Sequence, residues 1–248
     1  MMRAMSSSSY LPVVWWASAA VLGWCVGLAL RHWAHALPLR LEAAWRQHAQ
    51  ALYGMNDPAP LDASAHALPP TPGSSRWMPW ATSVVYALCA YQYGLTGVTL
   101  ATFVYCGALI TLAAIDAQTR LLPDCITLPL LWLGLLLNTA HIWTSPEGAV
   151  FGAALGYGVL WLLFHLFRRV TGKDGMGHGD FKLTAAMGAW LGWHDLPVML
   201  LAASALGVMG AMVLRWTGRA APGEALPFGP YLAGVGIAAI LWPVLTLG

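Results

Sequence analysis

Acidic side chains are scarce in this chain, with only 10 Asp+Glu in 248 residues, so each one is informative. Asp116, Asp124, Asp174 and Asp180 lie in or beside two polar breaks between apolar stretches, while Asp57 and Asp62 fall in an earlier polar segment. Asp116 ends the apolar Leu112–Ile115 run. Asp180 closes Gly175-Met176-Gly177-His178-Gly179-Asp180, where glycines at alternate positions allow a positive φ or close approach of another chain. Two carboxylates held close together cannot both ionise easily and come to share one proton. The ionised member can then take a proton from water while the protonated member polarises a carbonyl, which is the chemistry of peptide hydrolysis. Each residue also has a plainer reading: Asp116 as an interfacial acid reaching water, and Asp180 as a helix cap after a flexible turn. No G-x-S-x-G, H-E-x-x-H or Walker pattern points to a serine, zinc or nucleotide mechanism.

The segments that must position these acids are apolar. The chain is 58% hydrophobic and 9% charged, against about 25% charged in ordinary soluble domains. A net charge of +2 provides no phosphate-binding footprint, which excludes a nucleic-acid binder as well as a disordered chain. An all-α polytopic membrane protein of about eight helices, with no sizeable soluble domain, is expected. Its spans are Leu11–Leu30, two within Met78–Ile115 broken near Tyr93–Gly97, Ile126–Thr144, Gly148–Phe167, the short Phe181–Trp193, Leu196–Leu214 and Phe228–Leu247. The apolar run at the N-terminus continues past the small residues Ala17–Ala20, so an uncleaved helix is expected. With the N-terminus outside, every basic residue but Arg3 falls on the inner side, as the positive-inside rule requires. The domains are then an N-terminal transmembrane helix (1–30), a cytoplasmic loop (31–77) and a membrane-embedded unit (78–248). Within the loop, residues 31–50 suggest an amphipathic helix on the inner leaflet starting after Pro38, and residues 57–75 a flexible linker. A transporter using intramembrane acids is disfavoured, because the middles of the apolar runs hold no acid or base.

Gly177-His178-Gly179-Asp180-Phe181-Lys182-Leu183 resembles the GxGD motif of the type IV prepilin peptidases, which are membrane aspartic proteases. Asp116 with Pro123-Asp124 and Thr127-Leu128-Pro129, Thr171-Gly172-Lys173, Gly188-Ala189-Trp190 and Leu226-Pro227-Phe228-Gly229-Pro230 extend the resemblance over roughly residues 78–248. The resemblance implies catalytic roles for Asp116 and Asp180, and substrate-binding or supporting roles for Gly177, Gly179, Asp124 and Lys182. From the residues alone, Asp124 reads as the cap of its helix, Asp174 as a loop charge, and Lys182 as an anchor in lipid phosphates or a counter-charge to the acids. The implied activity is removal of the basic leader from type IV prepilins or type II secretion pseudopilins at the cytoplasmic face of an inner membrane. The implied partners are these substrates, each with a membrane-inserted helix, together with the lipid bilayer.

Many members also methylate the new N-terminus with S-adenosylmethionine, and carry two Cys pairs in the first loop that are taken to bind zinc. Residues 31–77 contain no Cys, and Cys25, Cys89, Cys106 and Cys125 form no C-x-x-C pair. The loop therefore reads as shortened, with no zinc expected. His32, His35, His48 and His66 read as solvated or interfacial. The alternatives left open are a peptidase without methyltransferase activity and a non-catalytic assembly partner of the pilus or secretion machinery. Trp15, Trp16, Trp77 and Trp80 read as interfacial, and Gly152, Gly156, Gly207 and Gly210 as small residues at helix crossings.

Overall fold

A computed structural model describes residues 11–53, 75–172, 176–218 and 227–242. Among the described residues the structure is helical, without strands. The helices are α1 (Leu11–Tyr53), α2 (Met78–Tyr93), α3 (Gly97–Thr119), α4 (Asp124–Asn138), α5 (Pro146–Thr171), α6 (His178–Leu191), α7 (Leu196–Trp216) and α8 (Gly229–Leu241). Four of them, α1, α3, α5 and α7, are long and apolar enough to cross a bilayer. The others have 13 to 16 residues, below the roughly 20 that a full span needs.

Local chemistry explains most boundaries. The expected break at Tyr93–Gly97 is present: Gly94 takes φ 65° and its N–H bonds the Ala90 carbonyl, and Thr96 caps α3 by accepting from Thr99 N–H. Ser145 caps α5, followed by Pro146, and Gly172 ends that helix in the left-handed region. Two expectations differ from the structure. The segment after Pro38 is no separate helix, because α1 runs unbroken through that proline. Pro38 is buried, and its i−4 neighbour is the small Ala34, packed among Met78, Ile110, Ala114 and Ile115. Tertiary packing there outweighs the lost intrahelical bond. The helix expected over Ile126–Thr144 stops at Asn138, whose side chain turns the chain back. Asn138 Nδ2 donates to the carbonyls of Ala189 and Trp190, and its Oδ1 accepts from Trp143 N–H and Thr144 N–H.

The bundle is centred on α3, which packs against α1, α2, α4 and α8, while α6 lies between α4 and α5. Tyr105, Leu109 and Leu112 of α3 join Leu183, Met187 and Trp190 of α6 and Leu232 and Ile240 of α8 in one core. Trp190 donates its indole N–H to the Leu130 carbonyl, satisfying a buried polar group across the α4–α6 contact. The crossing of α5 over α6 depends on the absence of side chains, since a Cβ at Gly152 would collide with the Gly188 backbone and the reverse also holds. Gly156 meets Thr184, while Gly207 and Gly210 face Phe228 and Tyr231. Outward faces of α1, α5 and α7 carry exposed Val21, Leu162 and Leu201, the surface expected of an integral membrane protein.

Candidate active site

The end of α3 and the beginnings of α4, α6 and α8 meet at one end of the bundle. Asp116 sits in the last turn of α3, after the fully buried Leu112 and Ile115, and is only 5% exposed. Arg120 ends this helix with φ 55°, and its N–H bonds the Asp116 carbonyl at 2.9 Å. The Asp116 carboxylate accepts a hydrogen bond of 2.9 Å from the backbone N–H of Gly229, at the start of α8. Asp116 is therefore no acid reaching into water.

Asp180 is 6% exposed and is the third residue of α6. The helix cap is Gly177 rather than Asp180, whose carboxylate makes no cap. Burial, and secondarily the charge of Asp116, push the Asp180 carboxyl up to about 7, and the Gly177 N–H acts in the opposite direction. The two acids thus share one desolvated site and influence each other electrostatically.

The glycine motif works through close approach. Gly177 and Gly179 do not use the left-handed region, and Gly179 lies inside the first turn of α6. A Cβ at Gly179 would sit 2.7 Å from Leu122 Cβ, so the missing side chain lets α6 settle on the turn that follows Asp116. Gly177 leaves the Asp180 carboxylate open, with its own Cβ position 3.8 Å away. Phe181 is fully buried and packs edge-on against Phe164 and Tyr157 of α5, fixing the rotation of α6 that turns Asp180 inward.

Asp124 and Lys182 have a different arrangement from the one expected. Pro123 caps α4, and Asp124 is the first helical residue without a cap bond. Its two carboxylate oxygens each accept a hydrogen bond of 2.7 Å from Lys182 Nζ. Lys182 thereby joins α4 to α6, in place of the lipid anchor favoured from sequence. The pair is solvent-accessible, and such pairs contribute about 0–1 kcal/mol. Asp57, Asp62, Asp174, Gly175 and His66 lie outside the described residues.

Among the described residues no group of three or more His, Cys, Asp and Glu is placed to hold a metal ion. His35 bonds Ser75 Oγ at 2.5 Å, and His48 Nδ1 lies 2.9 Å from the Ala44 carbonyl, so each has a local partner. A cavity of about 310 Å³ lies between α1 and α3, lined by Val26, Leu30, Trp33, Phe103, Val104 and Ile126 among others. That lining carries no charged side chain, and the hydroxyls in it, of Tyr86 and Thr111, already donate to the Phe103 and Gly107 carbonyls, so it does not fit the sulfonium, carboxylate and ribose of S-adenosylmethionine. Gly229 is the site residue that sequence reasoning missed. Its signal was a glycine before a proline at a helix start, in a segment noted only for its resemblance.

Residues 103–212, which include both aspartates, match the Type IV leader peptidase family. A prepilin leader peptidase/N-methyltransferase of Pseudomonas aeruginosa is 36% identical over 90% of this chain and 88% of its own length. Proteins of the same name from Dickeya chrysanthemi and Pseudomonas putida are 36% and 37% identical, covering 98% and 90% of this chain and 98% and 89% of their own lengths. The Dickeya alignment runs to 278 positions against a chain of 248 residues, so it opens gaps in this chain. No solved structure matches it. Similarity that extends over nearly the whole length of these relatives, together with two buried aspartates at one end of a helical membrane bundle, places the chain in the type IV leader peptidase family.

Proposed function

We propose that this protein is an aspartic endopeptidase that removes the basic leader from type IV prepilins or type II secretion pseudopilins. The observation that carries the reading is the meeting of Asp116 and Asp180, each about nineteen-twentieths buried, at the mouth of an apolar bundle. One carboxylate accepts a proton from water as its oxygen attacks the scissile carbonyl; the other carboxyl gives its proton to the carbonyl oxygen. A tetrahedral diol forms, and its collapse breaks the C–N bond as the first carboxyl passes its proton to the leaving amine and the diol gives one back to the second. Burial strengthens both interactions by excluding water.

The peptidase unit corresponds to residues 78–248, with α1 along its side. The orientation with the N-terminus outside sets both aspartates at the cytoplasmic face of an inner membrane, and the basic residues Arg76, Arg120, Arg168 and Arg169 near the same end support it. Gly179 supports the site by letting α6 rest on Leu122, Gly177 stands beside the Asp180 carboxylate, and Asp124 and Lys182 join α4 to α6. The substrate is a helix-forming membrane segment that must unwind at the cut. Methylation of the new N-terminus is the second activity in the relatives' names.

Mass spectrometry of a co-expressed pilin-like substrate tests both parts of this reading. Wild type should remove the leader, and Asp116→Asn and Asp180→Asn should each leave it attached while still inserting. Cleavage by both variants would overturn the aspartic mechanism in favour of an assembly partner. A methyl group on the wild-type product would add N-methyltransferase activity, and its absence would make the chain a peptidase alone.

A further inference from the structure

Hydrolysis by two carboxyls needs one ionised and the other protonated, and the Phe228-Gly229-Pro230 segment meets one of them. The two carboxylates have different surroundings. Gly229 is the first residue of α8, and its N–H is one of the helix's unsatisfied donors, aimed at Asp116 Oδ2 from 2.9 Å. Donors at a helix N-terminus carry partial positive charge and favour a carboxylate in its ionised form. The approach requires glycine: a Cβ at position 229 would lie 2.7 Å from Asp116 Oδ2, 2.9 Å from its Cγ and 3.0 Å from its Cβ. Pro230 and the buried Leu232 and Ala233 fix the helix start that holds this N–H in place. Arg120 lies one turn further along α3 and ends that helix. Burial bears on both carboxyls alike, at 5% exposure for Asp116 and 6% for Asp180; what differs is that beside Asp180 the Asp116 charge adds to burial, with the Gly177 N–H opposing them.

The remaining ionisable groups at this end do not reverse the asymmetry. Asp124 of α4 is engaged by Lys182 of α6. The nearest ionisable group on α8, Tyr231, directs its hydroxyl toward Gly210 of α7. From α1 and the approach to α2 come Arg31, His35 and Arg76, of which His35 is bonded to Ser75.

Resting on the peptidase reading, we propose that Gly229 is a positioning residue whose backbone N–H holds Asp116 as the ionised partner, which assigns Asp116 as the base and Asp180 as the acid. Water gives its proton to Asp116 as its oxygen bonds the scissile carbon, and the Asp180 proton moves to the carbonyl oxygen. In the collapse, the diol proton returns to Asp180, the C–N bond breaks and the Asp116 proton goes to the departing amine.

The test uses the full-length protein in proteoliposomes with a pilin-like substrate. Gly229→Ala displaces the Asp116 carboxyl from its donor, so the acid limb of the kcat/KM profile should move upward by about one pH unit. The drop in kcat/KM should approach tenfold on the acid side of the profile and disappear near pH 8, with KM little changed. Gly234→Ala, on the same helix with open space around its Cβ, should keep the wild-type profile. An unchanged Gly229→Ala profile, or a loss that is equal at every pH, would overturn the proposal. Infrared titration of Asp180→Asn gives an answer without turnover and without altering Gly229. The protein should show no protonated-carboxyl absorption from Asp116 near neutral pH, and a persistent absorption there would refute the assignment. Failure of the peptidase reading itself looks different, because Asp116→Asn and Asp180→Asn would then both still cleave.

Discussion

Two carboxyl groups of the same residue type acquire different work here through what surrounds them. Both are buried to the same degree, but Asp116 accepts from the first N–H of α8, whereas Asp180 has the charge of Asp116 added to its burial, with the Gly177 N–H opposing them. The raised value of Asp180 has a consequence for stability. Its ordinary value is 3.8 and its folded value is about 7, so the fold prefers the protonated carboxyl. That contribution is fully present below about pH 4 and is lost as the pH rises through about 7. The melting temperature in detergent should therefore fall between these limits, and Asp180→Asn should flatten that part of the dependence. A variant that retains the full slope would show that another group is responsible.

Among the elements, the short helices matter most for the site. α6 is too short to span and is held by its neighbours: Gly188 against α5, Trp190 bonded to α4, and Asn138 of α4 bonded to its last carbonyls. Its first turn rests on Leu122 through Gly179. Gly179→Val should force these segments apart, costing about 1–3 kcal/mol as overpacking does, and should slow cleavage by moving Asp180. Trimming the neighbour tests the cause, since Leu122→Gly, which removes the Cβ that position 179 would meet, combined with Gly179→Ala should regain cleavage that Gly179→Ala alone loses. Failure of that rescue would point to chain mobility at the glycine rather than to the contact. The glycine motif was legible in the sequence, but its physical use was not. Spacing allowed either a positive φ or close approach, and only the position of Leu122 distinguishes them.

At the scale of the whole molecule, the chain belongs to a family whose compared members carry the name of a peptidase and methyltransferase, yet residues 31–77 hold no Cys. The segment from Arg31 to Tyr53 continues α1 as one helix. If the peptidase is independent of zinc, exhaustive chelation should leave leader removal within about twofold of the untreated enzyme, because the proposed chemistry needs only two carboxyls and water. Loss of cleavage that returns on adding zinc would reveal a metal site involving residues outside those described.

Composition and charge placement were enough to read a helical membrane protein, because a chain this poor in charge cannot coat a water-facing surface. Eight helices and the break near Gly94 followed from apolar run lengths and turn residues, which are local properties. Asp116 stood out as an acid at the end of an apolar run, and Asp180 as the close of a glycine-rich turn before a helix. Other features required the tertiary structure. Pro38 stays within a helix because packing against α2 and α3 compensates for a local penalty, and Asn138 ends α4 by bonding residues far along the chain. Lys182 meets Asp124, and Gly229 meets Asp116, across large separations in sequence. The local pattern of a chain records what each segment can do on its own. Which backbone donor reaches which carboxylate depends on how the helices pack, and here that packing decides the state of each acid.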